Sequence, residues 1–394
     1  MKILYLLKAF PNVSETFIFN EINELCKQNI EIQILSLYTP EKSAEHEGIN
    51  EFTKNTLYYD RLSKLKKIQF VLYGFVFSFF IIYRLLKLNQ EYKFNFKLSR
   101  ILKHILPLVG FVHHSSISHI HCHFADINTK YAFLISKVLN ITYSFTAHGY
   151  DIYFQPPEQY PALISDSSFC LTVSQANRKI LIEQYGSLAE KFRVLPMGIN
   201  IEFFKRDNNI LRNNKAIITV ARLVPVKALE YAIEAAAILK KRNYSFQWIF
   251  VGEGSERNRL QGLINSNGLQ NYTVLVGNKT DKEVRDLLSE LSIFVLSSVS
   301  EGLGVCLMEA LAMECAVVAT NVGGIGEVII NNETGILVEP RSSIAIASAI
   351  EYFFENDSEI VMFSKNGRDH IVNHFNIANQ CKLLANLFST LKYR

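Results

Sequence analysis

Short apolar runs with strand character recur along this chain. Each is separated from the next by a helical pattern, and no two are joined by a two-residue hairpin signal. They fall at residues 3–7, 30–38, 119–124, 141–148, 167–174 and 193–196, and again at 216–221, 247–251, 273–276, 293–296, 317–319 and 336–338. Strands connected through helices run parallel, so this order predicts parallel sheets with helices packed on them. A chain of 394 residues is too long for one core. The polar stretch 205–215 reads as a linker between the two series. The expected fold is α/β, with two doubly wound domains facing each other across a cleft. They comprise residues 1–205 and 206–375, and a last helix in 376–394 packs back on the first. Ser14 is the expected N-cap of the first helix, and residues 40–56 read as loop. Helical patterns at 343–355 and 376–392 close the chain. Ligands in such sheets bind at the carboxyl ends of the strands.

The most informative stretch is 297–324. The apolar run 293–296 leads through a Ser-rich turn into Glu301-Gly302-Leu303-Gly304 and a helix reaching about Met313. Between Gly302 and Met313 every residue is apolar or Gly except Glu309. A helix apolar on all sides is buried, and a carboxylate there is costly unless something pairs or hydrogen-bonds it. Glu301 stands just before the helix. Gly302 and Gly304 would let a ligand approach the backbone, and the free N–H groups of a helix start suit an anion. Two readings follow: a structural Glu309 satisfied by protein donors, or the second carboxylate of a ligand site.

Other suggestive residues also close strands. Arg222-Leu-Val-Pro-Val-Lys227 follows 216–221. Two cations flanking such a loop suit a diphosphate, Arg through forked hydrogen bonds and Lys as a point charge. Gly252-Glu-Gly254 resembles half a dinucleotide fingerprint, but Arg257 occupies the third glycine position, which argues against a conventional NAD site. That turn is either close-packed structure or a backbone wall for a nucleotide base. His148 ends the run 141–148, either as a structural residue or pointing into the cleft. His119, His121 and His123 alternate and so share one face. No carboxylate stands near them at ligand spacing, so no metal is expected.

The net charge of +4 is unevenly placed. Residues 54–103 hold eleven Lys and Arg against Asp60 and Glu91, a local excess of nine positive charges. No nucleic-acid reader motif accompanies it, so nucleic acid is not an expected partner. Inside this basic region, residues 69–83 (QFVLYGFVFSFFIIY) carry no charge and many aromatics. As a helix they would reach about 22 Å, short of the ~30 Å hydrocarbon core. The segment could span with snorkelling flanks, lie buried in the first domain, or lie on an anionic membrane surface. Lys64, Lys66, Lys67, Arg84 and Lys87 at its flanks favour the last. The six cysteines form no CxxC pair, which suits a reducing cytosolic compartment. The run 3–7 is too short for a signal peptide and reads as a first strand.

Taken in order, a set of motifs resembles the retaining GT-B glycosyltransferases of family 4. They are Ser14-Glu-Thr-Phe17, His119-Ile-His-Cys-His-Phe124, Phe145-Thr-Ala-His-Gly149, Thr172-Val-Ser174, Leu195-Pro-Met-Gly198, Ala221-Arg-Leu-Val-Pro-Val-Lys227, Val251-Gly-Glu-Gly254 and Glu301 with Glu309. Within that family they look most like the branch that builds bacterial exopolysaccharides such as colanic acid. The resemblance covers nearly the whole chain and rests most on the Glu301/Glu309 pair, then on Arg222/Lys227.

The resemblance implies a GT-B fold of two Rossmann-like domains. It implies a hexose-type sugar moved, with retention, from a nucleotide-sugar donor to a lipid-linked saccharide in surface polysaccharide assembly. The enzyme would be cytoplasmic and peripheral on the inner face of the plasma membrane, and would need no metal or other cofactor. Arg222, Lys227 and the helix start Gly302, Leu303 and Gly304 would neutralise the leaving diphosphate, with Gly252 also on the donor. Glu301 would contact the transferred sugar, Glu309 would accept hydrogen bonds from the ribose hydroxyls, and His148 would face the sugar. Glu15 and Thr16 would lie near donor or acceptor.

The chain departs from the pattern at Gly304 and Gly326, where Pro is common, and at Ala228, where Gly is common. Ser342 and Ser343 stand where an acid is often found. Three alternatives remain: a GT-B nucleotide-sugar epimerase, a phosphorylase, and a non-catalytic binding subunit. An epimerase would convert donor alone, a phosphorylase would release sugar phosphate, and a binding subunit would be inactive with every donor and acceptor.

Overall fold

The computed structural model describes residues 2–12, 15–40, 49–73 and 78–391. The chain divides into two compact units, Met1–Leu195 with Cys381–Arg394, and Pro196–Gln380. Strands β1 (Lys2–Ala9), β2 (Glu31–Tyr38), β3 (Leu57–Tyr58), β4 (His119–His123), β5 (Thr142–Ala147), β6 (Cys170–Thr172) and β7 (Phe192–Val194) lie in the first unit. They form one parallel sheet of order β3-β2-β1-β4-β5-β6-β7. The second unit holds β8 (Asn213–Val220), β9 (Gln247–Val251), β10 (Thr273–Gly277), β11 (Leu291–Leu296), β12 (Ala316–Thr320) and β13 (Ile336–Val338). Their sheet is also parallel, in the order β10-β9-β8-β11-β12-β13.

The apolar runs become strands because helices cover both faces of each sheet. Every residue of β11 and β12 is buried, as is Ile3–Leu7 in β1. In each sheet the chain builds outward to one side and then crosses to the other. The strand order therefore reverses between β1 and β4, and again between β8 and β11. The loops leaving those four strands frame the crevice of each sheet, where ligands of this architecture bind.

Several expectations change. The polar stretch 205–215 is not a free linker, because β8 begins within it and arginines staple what precedes β8. Arg212 donates to the carbonyls of Leu288, Ser289, Met313 and Glu314. Arg368 holds the carbonyls of Ile201, Phe204 and Ala312. The unit boundary accordingly falls at Leu195/Pro196 rather than near 205. The loop expected at 40–56 contains the helix Ile49–Asn55, while residues 41–48, like Ser14, lie outside the described residues. From Cys381 on, the last helix, Ile377–Ser389, belongs to the first unit, where Phe388 packs on His119 and His121 at 5.5 and 5.4 Å between ring centroids.

The uncharged segment 69–83 is divided between the helices Lys64–Tyr73 and Ser78–Glu91, with 74–77 outside the described residues. One stripe of these helices, Phe70, Ile81 and Leu85, enters the core, and Phe70 meets Phe111 at 5.2 Å. The other stripe faces outward, with Leu65 80%, Phe79 91% and Tyr83 64% exposed. Among the described residues no helix is long and apolar enough to cross a membrane.

Candidate active site

In the second unit four loops at the carboxyl ends of strands are laced together. After β8, the Leu223 N–H donates to the Glu253 carbonyl at 2.8 Å, joining the loop after β9. The Val299 N–H donates to the Val226 carbonyl at 2.9 Å, joining the loop after β11. The Gly324 N–H, in the loop after β12, donates to the Glu301 carbonyl at 3.2 Å. Gly323 lies so close that a β-carbon there would meet the Glu301 oxygen at 1.9 Å, so only glycine fits. Gly252 likewise packs its peptide against the Ala221 carbonyl, which makes Gly252-Glu-Gly254 a close-packed turn that positions the β8 loop.

Within this frame Lys227 donates to Glu301 Oε1, and the two side chains are 13% and 11% exposed. Ser298 Oγ donates to the same carboxylate oxygen at 2.6 Å, and Ser297 Oγ donates to the Lys227 carbonyl at 3.1 Å. Glu301 is thus held by a neighbouring cation and a hydroxyl. Arg222, at the end of β8, is exposed, and among the described residues its guanidinium has no hydrogen bond or ion pair.

Leu303 is buried, and Gly304 precedes the helix Val305–Ala312 at φ 85°. A proline, fixed near φ −65°, could not take that conformation, so this helix starts with a different backbone geometry. Glu309 projects from that helix, half-buried. Desolvation holds its carboxyl well above the usual range, and the charge of Asp281 adds to this. No hydrogen bond or ion pair reaches that carboxyl among the described residues. Cys306 joins the parts: burial pushes its thiol up to about 12, Lys227 opposing and Glu301 and Glu309 adding. These charges therefore share one neighbourhood.

Ala228, next to Lys227, sits in the left-handed region at φ 47°, ψ 43°. That conformation costs a residue with a β-carbon about 1–2 kcal/mol. Ala228→Gly is expected to raise stability by about 0.5–1 kcal/mol, after allowance for glycine's larger unfolded-state entropy. A lower melting temperature in the variant would refute this.

In the first unit His148 follows β5 and is 5% exposed. Its backbone N–H donates to Asp151 Oδ1 at 2.8 Å, and the other oxygen of Asp151 accepts from Ala125 N–H at 2.8 Å. Burial raises the Asp151 carboxyl to about 7, against the pull of these backbone donors. The His148 ring is flanked by Phe124 at 4.4 Å and Phe17 at 4.9 Å, and its Nε2 lies 3.1 Å from His123 Nδ1. Burial, with His123 adding, holds the His148 imidazole well below its ordinary value, so it is neutral at pH 7. Glu15 is the N-cap residue and Thr16 the first residue of the helix Thr16–Lys27, and the Glu15 N–H donates to the Asn12 carbonyl at 3.1 Å.

The three alternating histidines face a matching row of hydroxyls on β5, set opposite them by the strand register. His119 bonds Thr142 and Ser144, each at 2.8 Å; His121 bonds Ser144 at 2.8 Å and Thr146 at 3.2 Å. Burial pushes His119 down to about 3. Glu21, distant in sequence, approaches His121 and His123 closely enough for a metal-sized group of donors. Both nitrogens of His121, however, are already engaged by hydroxyls. Glu21, Asp151 and Ser298 were not singled out from sequence, and His123 was noted only as one of the three alternating histidines. Each acts through a contact made by the fold, and only the alternation of the histidines hinted at one of them.

The family described as Glycosyl transferases group 1 matches residues 200–370. Over its length the chain is 27% identical to the amylovoran biosynthesis glycosyltransferase AmsK of Erwinia amylovora, covering 99% of this chain and 100% of that one. It is 26% identical, with the same coverage, to the putative colanic acid biosynthesis glycosyltransferase WcaL of Escherichia coli K12. Among solved structures, Anabaena Alr3699/HepE in complex with UDP and glucose superposes with a TM-score of 0.76 at 18% identity, over 99% of this chain and 100% of that one. The chain has the GT-B fold of the structures it superposes on, and its residues 200–370 match the glycosyl transferases group 1 family.

Proposed function

We propose that the protein is a retaining glycosyltransferase of family 4. It moves a hexose-type sugar from a nucleotide-sugar donor to a lipid-linked saccharide during surface polysaccharide assembly. The observation that carries the donor assignment is that, among the described residues, Arg222 and Glu309 have no protein partner, whereas Lys227 and Glu301 are paired with each other. A diphosphate supplies what Arg222 lacks, and ribose hydroxyls supply what Glu309 lacks. The UDP and glucose bound by HepE support a nucleoside diphosphate donor. Glu301 and His148 are assigned to the transferred sugar, and Glu15 and Thr16 to the acceptor side. Retention follows from attack of the acceptor hydroxyl on the face the diphosphate leaves, with Arg222 and Lys227 stabilising the departing charge.

Thermal unfolding with UDP, GDP, ADP, CMP and their sugar conjugates at about 1 mM tests this. A ligand at one hundred times its dissociation constant adds about 2.7 kcal/mol. A response to one base, diminished in Arg222→Ala, is the expected result; no response to any of them would overturn the donor site.

The acceptor and membrane assignment rests on the outward stripe of the helices Lys64–Tyr73 and Ser78–Glu91, which exposes Phe79, Phe80 and Tyr83, with the Arg84 guanidinium over the Phe80 ring. A cavity of about 440 Å³ lined in part by Lys97, Arg100, Lys103 and His104 also suits the phosphate of a lipid headgroup. This reading places the enzyme on the cytoplasmic face of the membrane. The double variant Phe79→Ser/Phe80→Ser is expected to weaken binding to anionic vesicles at least about tenfold, since each buried ring contributes about 1.5–3 kcal/mol. Unchanged binding would remove this segment from the membrane surface.

A further inference from the structure

A chain of four buried or half-buried groups ends at His148, and only one member fixes its direction. Tyr5, fully buried, donates its hydroxyl to Glu21 Oε1 at 2.7 Å. The same oxygen lies 3.1 Å from His123 Nε2, and the His123 side chain is 1% exposed. An ionised carboxylate accepts hydrogen bonds and donates none. His123 Nε2 must therefore carry a proton, and in the neutral ring its Nδ1 is a lone pair. With one proton on each ring, His148 Nε2, 3.1 Å from that lone pair, carries its own proton. The remaining nitrogen, His148 Nδ1, is then an acceptor, and no described residue occupies it. The ring cannot turn over easily, because Phe17 and Phe124 flank it and Asp151 ties down its backbone.

We propose that Glu21 and His123 are positioning residues that hold His148 in its Nε2–H tautomer, so that Nδ1 accepts a hydrogen bond from a hydroxyl of the transferred sugar. This rests on the assignment of His148 to that sugar. A histidine left free would divide between two tautomers, and the Nδ1–H form would offer a hydroxyl a donor where the first offers an acceptor. The carboxylate thus sets the polarity of a contact two residues away.

Nitrogen-15 NMR of imidazole-labelled protein reads the tautomer directly, with the His148 signals assigned by their loss in His148→Gln. In the intact protein His148 is expected to show a protonated Nε2 and a bare Nδ1. Glu21→Ala should turn this into a mixture and lower turnover about tenfold, while leaving the nucleotide-induced rise in melting temperature unchanged. Glu21→Gln, whose amide oxygen in the shared position accepts from both the Tyr5 hydroxyl and His123 Nε2–H, should retain both tautomer and turnover.

A protonated Nδ1 in the intact protein would overturn the proposal, whatever Glu21→Ala does to folding. So would an unchanged tautomer in Glu21→Ala. If instead His148→Gln turned over at the full rate, the assignment of His148 to the sugar would fall while the tautomer result stood.

Discussion

Lys227→Ala is expected to cut turnover by about 10²- to 10³-fold, the range seen when one preorganised donor to developing charge is removed. It should also lower the melting temperature of the ligand-free protein. The second effect follows from the contact with Glu301, since both side chains are nearly nine-tenths buried. Truncating one partner leaves the other carboxylate with Ser298 Oγ as its remaining donor. An uncompensated charge at a site buried to this degree costs about 3 kcal/mol, the lower end for a broken buried pair, since Ser298 still donates.

The two effects separate in a double variant. Lys227→Met with Glu301→Gln removes both charges and should regain most of the lost stability while turnover stays low. Glu301→Gln alone should leave nucleotide binding nearly intact and depress turnover, because that carboxylate is assigned to the sugar. Wild-type turnover in Lys227→Ala would remove the lysine from the reaction. The ion pair has one further consequence: an incoming diphosphate meets a lysine already engaged by Glu301. With three N–H donors Lys227 can keep that bond while taking a phosphate oxygen.

The parallel sheets and the loops after β8 and β11 were legible because they are local in sequence. A buried parallel strand must be apolar along its length, and the residues at its end announce themselves by interrupting that run, as Arg222 and Glu301 do. Glu309 was conspicuous for the same reason, as the one charge in an apolar helix. What sequence could not show was whether a donor meets it, because that depends on elements brought alongside by the fold. The helix Asp357–His374 was open to reading and was missed. Asp357 and Glu359 stand in its first turn, and Ile360, Phe363, Ser364, Gly367 and Ile371 recur at helical spacing on its buried face. The chain Tyr5–Glu21–His123–His148 was not legible at all, since it joins two strands, a helix and a strand-end turn through single atoms.

Glu309→Gln is expected to make the ligand-free protein more stable and the enzyme worse. The folded-state carboxyl is raised above its ordinary value of 4.5 by desolvation, with Asp281 adding. Between that value and the raised one, the folded chain holds a proton that the unfolded chain has released, so stability falls as pH rises. The contribution of this group is complete below about pH 4.5 and is lost as pH climbs through the folded value. Glutamine has no such titration. The variant should match the wild type near pH 4 and exceed it at pH 7 by on the order of 1 kcal/mol, the lower end for an unsatisfied buried polar group.

Nucleotide binding should move the other way, weakening about 10- to 100-fold as hydrogen bonds to a charged acceptor become bonds to a neutral one. Denaturant titrations at the two pH values, with and without the nucleotide that shifts the wild type, would measure both. A ligand-free wild type more stable than the variant at pH 7 would mean that some protein group satisfies the carboxylate. In that case Glu309 would be a structural residue, and the ribose would have to be held elsewhere. The expected crossing, less stable when empty and more so when filled, is the mark of a group kept for a ligand.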